Sequence, residues 1–329
     1  MKLRLAWFFR TSRLISETKR KPKVALQKAP LEPPQSDGSC LNPMGEIVHT
    51  IVFMHVPKSG GVSLISSIKS AGLKTCMVGF DRSLYGTFTE FDSILPPASN
   101  QFCVDLSSHV HDDFVAAHMA LSTLVSRFPG ASFMTVLRHP RIRLLSLFLY
   151  WRSRPEQELE LWGRWAERLR LSHGPLSNFL RAPDIACQTD NVVARLLLWP
   201  HRAIPDNGFI PPEKHNEIYQ EATQKIDRFR FVDLVENPRF DRNLRAWLNR
   251  PFALRKDNET IPRAELPVSV KGELSDETHR QLKRLTAIDS RLWVDIAKRR
   301  GMDVSADEMF DVYIERVQNA WVSAAPSAA

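Results

Sequence analysis

The chain has 329 residues, of which 43% are hydrophobic and 25% are charged. These values suit one large folded domain or two smaller ones, and they exclude a chain that is disordered throughout. No apolar run approaches the roughly 18 residues of a membrane-spanning helix. The net charge of +8 equals that of residues 1–30 alone, which hold nine basic residues and one acidic residue. The remaining chain is formally neutral, so we expect no nucleic-acid partner.

The N-terminal segment differs in composition from the rest of the chain. Residues 1–45 are basic and rich in proline, which predicts a flexible appendage before a domain at 46–320 and a disordered tail at 321–329. The apolar stretch 5–9 is too short for the core of a secretory signal, and no small-residue cleavage site follows it. A membrane-surface helix and a frayed terminus are both open interpretations. We expect a cytoplasmic location, with peripheral membrane contact through the basic N-terminus as the open alternative.

Strands and helices alternate from residue 50 onward. Buried strands are predicted at residues 50–56, 114–118, 131–137 and 229–235, and helices at 62–71, 142–151, 275–286, 290–300 and 306–319. A further helix follows the last of these strands and runs through residue 248. This alternation predicts an α/β fold of P-loop type, with a central parallel sheet flanked by helices on both faces.

The turn after the first predicted strand has the character of a phosphate-binding loop. A strand, a glycine-containing turn and a helix place backbone N–H groups and a helix N-terminus around an anion. Lys58 supplies charge, Ser59 and Ser63 supply hydroxyl donors, and Gly60 and Gly61 let the backbone approach phosphate oxygens. The lysine precedes the glycines, so the loop is not a Walker A motif. A plain strand-to-helix turn with a solvated lysine is the alternative.

A second anion-binding pattern follows the strand at 131–137. Arg138 leaves the strand end with a planar guanidinium that suits a phosphate dianion. Ser146 lies eight residues later, just over two helical turns, so both side chains can face one anion. A surface arginine and a helix serine bonded to its own backbone are the alternatives.

The two patterns together resemble one enzyme family. Residues 53–64, Phe-Met-His-Val-Pro-Lys-Ser-Gly-Gly-Val-Ser-Leu, resemble the "hiPKtGGtSl" loop of sulfotransferases that use 3′-phosphoadenosine 5′-phosphosulfate (PAPS). Residues 135–150, Thr-Val-Leu-Arg-His-Pro-Arg-Ile-Arg-Leu-Leu-Ser-Leu-Phe-Leu-Tyr, resemble the family's 3′-phosphate motif, "tvlRdPveRllSayyy". The likeness is strongest to the carbohydrate branch, which includes the heparan sulfate 2-O-sulfotransferases, and it covers residues 48–300.

This resemblance implies a set of cofactor-binding residues. The loop would clasp the 5′-phosphosulfate, with Lys58 at the bridging oxygen, where it neutralises charge as the nucleotide leaves. Arg138 and Ser146 would hold the 3′-phosphate. The implied cofactor-binding residues are Lys58, Ser59, Gly60, Gly61, Val62, Ser63, Arg138 and Ser146.

Sulfuryl transfer to a hydroxyl also needs a base, and histidine is the usual residue near neutral pH. His118 ends the predicted strand 114–118, and the resemblance to 2-O-type members implies that it is the catalytic base, with Lys58 as the second catalytic residue. A core histidine is the alternative. His109 and His111 share one face of an extended segment beside two aspartates, which would suit a metal. Because no third ligand segment is evident, we expect no metal.

Four further features remain open at this point. His139 stands where the family usually has Asp, which we expect to affect the packing of the loop, and Arg143 is expected to be structural, at an ion pair. Lys271 with Gly272 either reaches the 3′-phosphate or lies in a solvated loop. Residues 152–173, with their arginines and tryptophans, predict either an acceptor-binding surface or an amphipathic helix with its tryptophans on the core.

The resemblance therefore implies that the chain transfers a sulfuryl group from PAPS to a hydroxyl, and the likeness to the carbohydrate branch implies a saccharide acceptor. Two other functions stay open. A P-loop phosphotransferase using ATP and Mg²⁺ is disfavoured by the order of lysine and glycines in the loop. A nucleotide-binding module without catalysis would keep the loop and lack the chemistry.

Overall fold

Five strands form one parallel sheet. The structure is a computed structural model that describes residues 50–96, 98–99, 112–249, 254 and 270–324. The strands are β1 (Ile51–Met54), β2 (Thr75–Phe80), β3 (Phe114–His118), β4 (Ser132–Leu137) and β5 (Phe231–Leu234). They lie in the order β2-β3-β1-β4-β5, and every neighbouring pair is parallel. The predicted α/β fold with a central parallel sheet is therefore confirmed.

Helices connect and surround the strands. The α-helices are α1 (Gly61–Ser70), α2 (Leu121–Arg127), α3 (Pro140–Arg152), α4 (Glu156–Leu159), α5 (Ala166–Arg170), α6 (Leu176–Arg181), α7 (Ala186–Thr189), α8 (Val192–Leu198), α9 (His215–Ile226), α10 (Phe240–Leu248), α11 (Val270–Glu273), α12 (Asp276–Leu285), α13 (Ala287–Arg299) and α14 (Ala306–Ala324). Short 3-10 segments lie at Arg82–Leu84, Phe91–Ser93, Glu160–Trp165, Leu171–His173, Pro183–Ile185 and Pro212–Lys214. Among the helices of these described ranges, none has the combined length and apolar character to cross a bilayer.

Alternation along the strands places one set of side chains on each face of the sheet. Phe53 of β1 packs with Leu64 of α1 and Leu244 of α10. Its neighbours Val52 and Met54 belong to a larger core on the other face, which includes side chains of α2, α3 and α8. Helices therefore cover both faces, as expected for a parallel sheet.

The segment 152–173 differs from the single amphipathic helix considered above. It is divided among α4, α5 and two 3-10 segments, because the backbone breaks at Gly163, whose φ is +53°. A Cβ on Gly163 would lie 2.0 Å from the carbonyl oxygen of Ser93. Trp151 and Trp165 are nonetheless 6% and 1% exposed and belong to the core. These two tryptophans therefore stabilise the fold and do not line an acceptor surface.

Candidate nucleotide-binding and transfer site

The loops that follow β1 and β4 meet at the carboxyl edge of the sheet. These two strands are neighbours, but the chain leaves β1 toward β3 and β2, whereas it leaves β4 toward β5. In open α/β sheets, ligands bind in the crevice where connections diverge in this way. Arg138, directly after β4, donates from Nη1 to the carbonyl oxygen of Lys58, in the loop after β1, at 3.2 Å. The two predicted motifs therefore lie together, although 80 residues separate them in the sequence.

In the loop at residues 57–60, here called the glycine loop, glycine leaves the backbone N–H groups accessible to an anion. Lys58 and Gly60 both have left-handed φ angles, of 69° and 75°. Gly60 is the N-cap of α1 and offers no side chain to its first N–H groups, so these groups remain available to an anion. A Cβ on Gly61 would lie only 2.1 Å from Nε2 of His55. Each glycine thus has a separate steric reason to be there.

The hydroxyl groups of the glycine loop differ in their surroundings. Ser59 is 1% exposed, and its Oγ has no hydrogen-bond partner among the residues that the structure describes. A buried hydroxyl left in this state costs about 1–3 kcal/mol, which a ligand oxygen would recover. Ser63 is half-buried in the first turn of α1, next to the exposed Val62. The structure therefore brings the loop residues of the predicted site to the start of one helix.

Positive charge converges on the glycine loop. Lys58 Nζ lies 3.9 Å from the centre of the Tyr150 ring, and the guanidinium carbon of Arg154 lies 4.1 Å from the same centre. Burial, followed by the charges of Arg138 and Arg154, lowers the pKa of Lys58 to about 7. A bound anion would counter this repulsion and favour the charged lysine. Neither Tyr150 nor Arg154 was among the predicted site residues.

His118 closes β3 beside the glycine loop. Its Nδ1 lies 2.7 Å from the carbonyl oxygen of His55, and only a protonated Nδ1 can donate to a carbonyl, so Nε2 is the basic nitrogen. The ring stacks on Phe80 with centroids 4.9 Å apart. Burial lowers the pKa of His118 to about 4. The hydrogen bond to His55 acts in the opposite direction and raises this pKa, whereas the charge of Lys58 lowers it further. A neutral imidazole in a fixed tautomer is the form that a general base requires.

His55 is a site residue that the sequence analysis missed. It is buried, its ring centroid lies 4.1 Å from that of His118, and it fills the space over Gly61. Burial, followed by the charges of His118 and Lys58, holds the pKa of His55 well below its usual range. The contact with His118 joins the end of β1 to β3, so the local motif that contains His55 could not indicate it.

His139 ties the loop after β4 to the C-terminal helix. Its Nε2 lies 2.7 Å from the carbonyl oxygen of Ala306, and its backbone N–H donates to Glu236 at 2.8 Å. Burial is the main reason why the pKa of His139 falls to about 4. Through this connection α14 brings the ring of Tyr313 to 5.6 Å from the guanidinium carbon of Arg138. His139 therefore packs the loop after β4 against α14, and Tyr313 is a further neighbour that the sequence did not indicate.

The remaining residues of the second motif are more deeply placed. Ser146 lies in α3 and is fully buried, whereas Arg138 is half-buried. Arg143 donates to the carbonyl oxygen of Gln188 at 3.0 Å, and its pKa falls to about 10 because of burial, which the charge of Asp289 opposes. A binding role for Ser146 stays a prediction. Lys271 belongs to α11, and its proposed contact with the 3′-phosphate also stays a prediction.

The alternative metal site involves the segment just before β3. His109 and His111 lie outside the described residues. Their neighbours both contact Lys74: Asp112 pairs with its Nζ at 2.8 Å, and Asp113 accepts a hydrogen bond from its backbone N–H at 2.7 Å. Across the described ranges, no group of three or more His, Cys, Asp or Glu side chains is placed to hold a metal ion.

No protein-family model matches the chain, and no curated protein matches it significantly. The donor set nevertheless fits an anionic nucleotide such as PAPS. Lys58, Arg138 and Arg154 supply positive charge, the start of α1 supplies N–H groups, and the buried Ser59 supplies a hydroxyl without a partner in the described part of the chain.

Proposed function

We propose that this chain is a sulfotransferase that moves a sulfuryl group from PAPS to a hydroxyl group of a carbohydrate acceptor. The observation that carries the proposal is the hydrogen bond from Arg138 Nη1 to the carbonyl oxygen of Lys58. It unites the two segments that resemble the nucleotide-binding motifs of that family. The neutral His118 beside the same loop supports the proposal, because sulfuryl transfer to a hydroxyl needs a base.

Two groups of residues would bind the two ends of the donor PAPS. Lys58, Ser59 and the N–H groups of residues 60–63 would hold the 5′ end, and Arg138 with Ser146 would hold the 3′-phosphate. The donor supplies the sulfuryl group and an anionic leaving phosphate. Lys58 stabilises the negative charge that grows on that phosphate, and it does so in a poorly solvated position where charge interactions are strong.

His118 handles the proton in this proposal. Nε2 accepts the proton of the acceptor hydroxyl, while the bond from Nδ1–H to the carbonyl oxygen of His55 keeps the ring oriented and stabilises the imidazolium that forms. In the ligand-free protein the charge of Lys58 disfavours that imidazolium. Anionic ligands next to Lys58 offset its charge, so donor binding would raise the proton affinity of His118 when the base is needed.

The test is transfer of labelled sulfur from PAPS to a panel of saccharides. We expect His118→Ala to keep nucleotide binding and to lower the transfer rate by about 10²–10⁴-fold. His173→Ala, at an exposed histidine, is the matched control and should leave the rate unchanged. An unchanged transfer rate in His118→Ala would contradict the role of His118 as the base. Intact nucleotide binding without transfer to any saccharide would favour a non-catalytic module.

The charge of the N-terminal segment supports a cytoplasmic location for the proposed enzyme. Residues 1–30 carry a net charge of +8, which attracts the anionic lipids of a cytoplasmic membrane surface. We therefore place the proposed enzyme in the cytoplasm, with peripheral membrane contact through that segment. Sedimentation with vesicles that contain phosphatidylserine should carry the full chain down at low salt. Equal sedimentation with neutral vesicles would contradict this placement.

A further inference from the structure

Tyr150 and Arg154 extend the cationic site beyond the two predicted motifs. Tyr150 is in the last turn of α3, and Arg154 follows the end of that helix. Because Lys58 and Arg154 both approach the centre of the Tyr150 ring, their cationic groups are at most about 8 Å apart. Two charge-assisted hydrogen bonds of about 2.9 Å to different oxygens of one tetrahedral anion span a similar distance. The separation therefore does not exceed what a single phosphate or phosphosulfate end can span.

Arg154 pairs with a carboxylate that it can exchange for a ligand oxygen. Arg154 Nη1 pairs with Glu158 Oε2 at 2.8 Å, and both side chains are partly exposed. Partly exposed ion pairs of this kind contribute little to stability. A doubly charged anion held between Lys58 and Arg154 gives a stronger interaction, because both hydrogen bonds are charge-assisted and Lys58 is half-buried.

We propose that Arg154 is a further ligand-binding residue, which contacts the phosphate at the 5′ end of the nucleotide donor together with Lys58. This inference rests on the proposed function, because it assumes that the glycine loop binds that end of the donor. The aromatic ring of Tyr150 holds both cations near the loop before the ligand arrives. On binding, Arg154 exchanges the carboxylate of Glu158 for phosphate oxygens.

The test is calorimetric titration with adenosine 3′,5′-bisphosphate. Arg154→Gln should weaken binding about tenfold or more, since a charge-assisted hydrogen bond is lost. Glu158→Gln should not weaken binding and should tighten it about two- to threefold, since the carboxylate of Glu158 no longer competes with the ligand for Arg154. The matched controls are Arg170→Gln and Glu156→Gln, which break another exposed ion pair of the same segment. Both controls should change the affinity less than twofold.

Monophosphates identify the end of the nucleotide that Arg154 contacts. The loss caused by Arg154→Gln should persist with adenosine 5′-monophosphate and disappear with adenosine 3′-monophosphate, whereas Arg138→Ala should show the reverse. If Arg154→Gln and Glu158→Gln weaken bisphosphate binding equally, the ion pair has only a structural role and the inference is overturned.

The two proposals fail in distinguishable ways. Wild-type protein that does not bind the bisphosphate contradicts the proposed function itself. Wild-type protein that binds it, with affinity lost in Lys58→Ala but kept in Arg154→Gln, contradicts only the role of Arg154. Thermal unfolding of Arg154→Gln and Glu158→Gln checks that neither variant loses enough stability to account for a change in affinity, because each removes only a partly exposed ion pair and Arg154→Gln also removes the contact with Tyr150.

Discussion

The imidazole rings of His55 and His118 lie with their centroids 4.1 Å apart, and the carbonyl oxygen of His55 accepts a hydrogen bond from Nδ1–H of His118. The ring of His55 also occupies the space over Gly61, at the start of α1. One buried residue therefore contacts both the proposed base and the proposed phosphate-binding loop. The packing of the glycine loop fixes the position of the base, so substitutions in the loop should affect both functions.

Gly61→Ala should be destabilising and should impair binding. The new Cβ would lie 2.1 Å from Nε2 of the buried His55, so the ring or the helix must move. We expect a loss of about 1–3 kcal/mol in the free energy of unfolding, as for other overpacked sites, measured by urea denaturation. Gly174→Ala is the control, because its Cβ would meet only the carbonyl oxygen of Leu171 at 3.6 Å. Equal midpoints for the two variants would contradict the steric role of Gly61.

Ser59→Ala should separate binding from stability. The Oγ of Ser59 is buried without a hydrogen-bond partner in the described part of the chain, so its removal should leave the free energy of unfolding unchanged or slightly higher. Bisphosphate binding should weaken about three- to tenfold, since the ligand loses one hydrogen bond.

Thr135→Val is the matched control for Ser59→Ala. Its buried hydroxyl already donates to the carbonyl oxygen of Met54 at 2.9 Å, so the substitution should cost about 1–3 kcal/mol of stability and leave binding unchanged. A Ser59→Ala variant that loses stability but binds normally would show that the hydroxyl serves the fold.

Bisphosphate affinity should fall as the pH rises above 7. The pKa of Lys58 is lowered to about 7 in the free protein, mainly by burial, and a bound anion favours the protonated lysine. Above pH 7 the free protein must therefore take up a proton to bind, and the affinity should fall by up to about tenfold per pH unit. Lys58→Arg, which stays charged, should remove this dependence between pH 7 and 9 in calorimetric titrations. The same slope in both proteins would rule out Lys58 as its source.

Acid should destabilise the fold through its buried histidines. Burial lowers the pKa of His118 and of His139 to about 4, whereas histidine in an unfolded chain has a pKa of about 6.5. Between these values the unfolded chain binds more protons, so the free energy of unfolding should decrease as the pH falls from 6.5 toward 4. His139→Gln keeps a donor for the carbonyl oxygen of Ala306 and should flatten this dependence. Urea unfolding at several pH values measures it, and an unchanged slope would contradict the assignment.

The parts of the fold that could be predicted are those with strong local patterns. The strand ending at His118 has the predicted bounds, because it is a short, fully buried run. The strand β2 was missed, since it carries Gly79 and the exposed Met77 and so lacks a continuous apolar pattern. The loop residues Lys58 and Arg138 could be selected from their spacing to glycines and strand ends.

The rest of the site depends on contacts between distant segments. The ring contact between His55 and His118 joins the end of β1 to β3, and Tyr150 reaches Lys58 only through the packing of α3 against the sheet. The contact of Tyr313 with Arg138 depends on the position of α14 at the end of the chain. Such contacts have no period or spacing in the sequence, so they appear only in three dimensions.

The most direct test of the central claim is a calorimetric titration of the wild-type protein, Lys58→Ala and Arg138→Ala. Each protein is titrated with adenosine 3′,5′-bisphosphate and, separately, with ATP and Mg²⁺. We predict metal-independent binding of the bisphosphate that both substitutions weaken, because Arg138 and Lys58 meet at one site. Tight binding of ATP with Mg²⁺ and no response to the bisphosphate would contradict the sulfotransferase proposal and favour an ATP-dependent phosphotransferase.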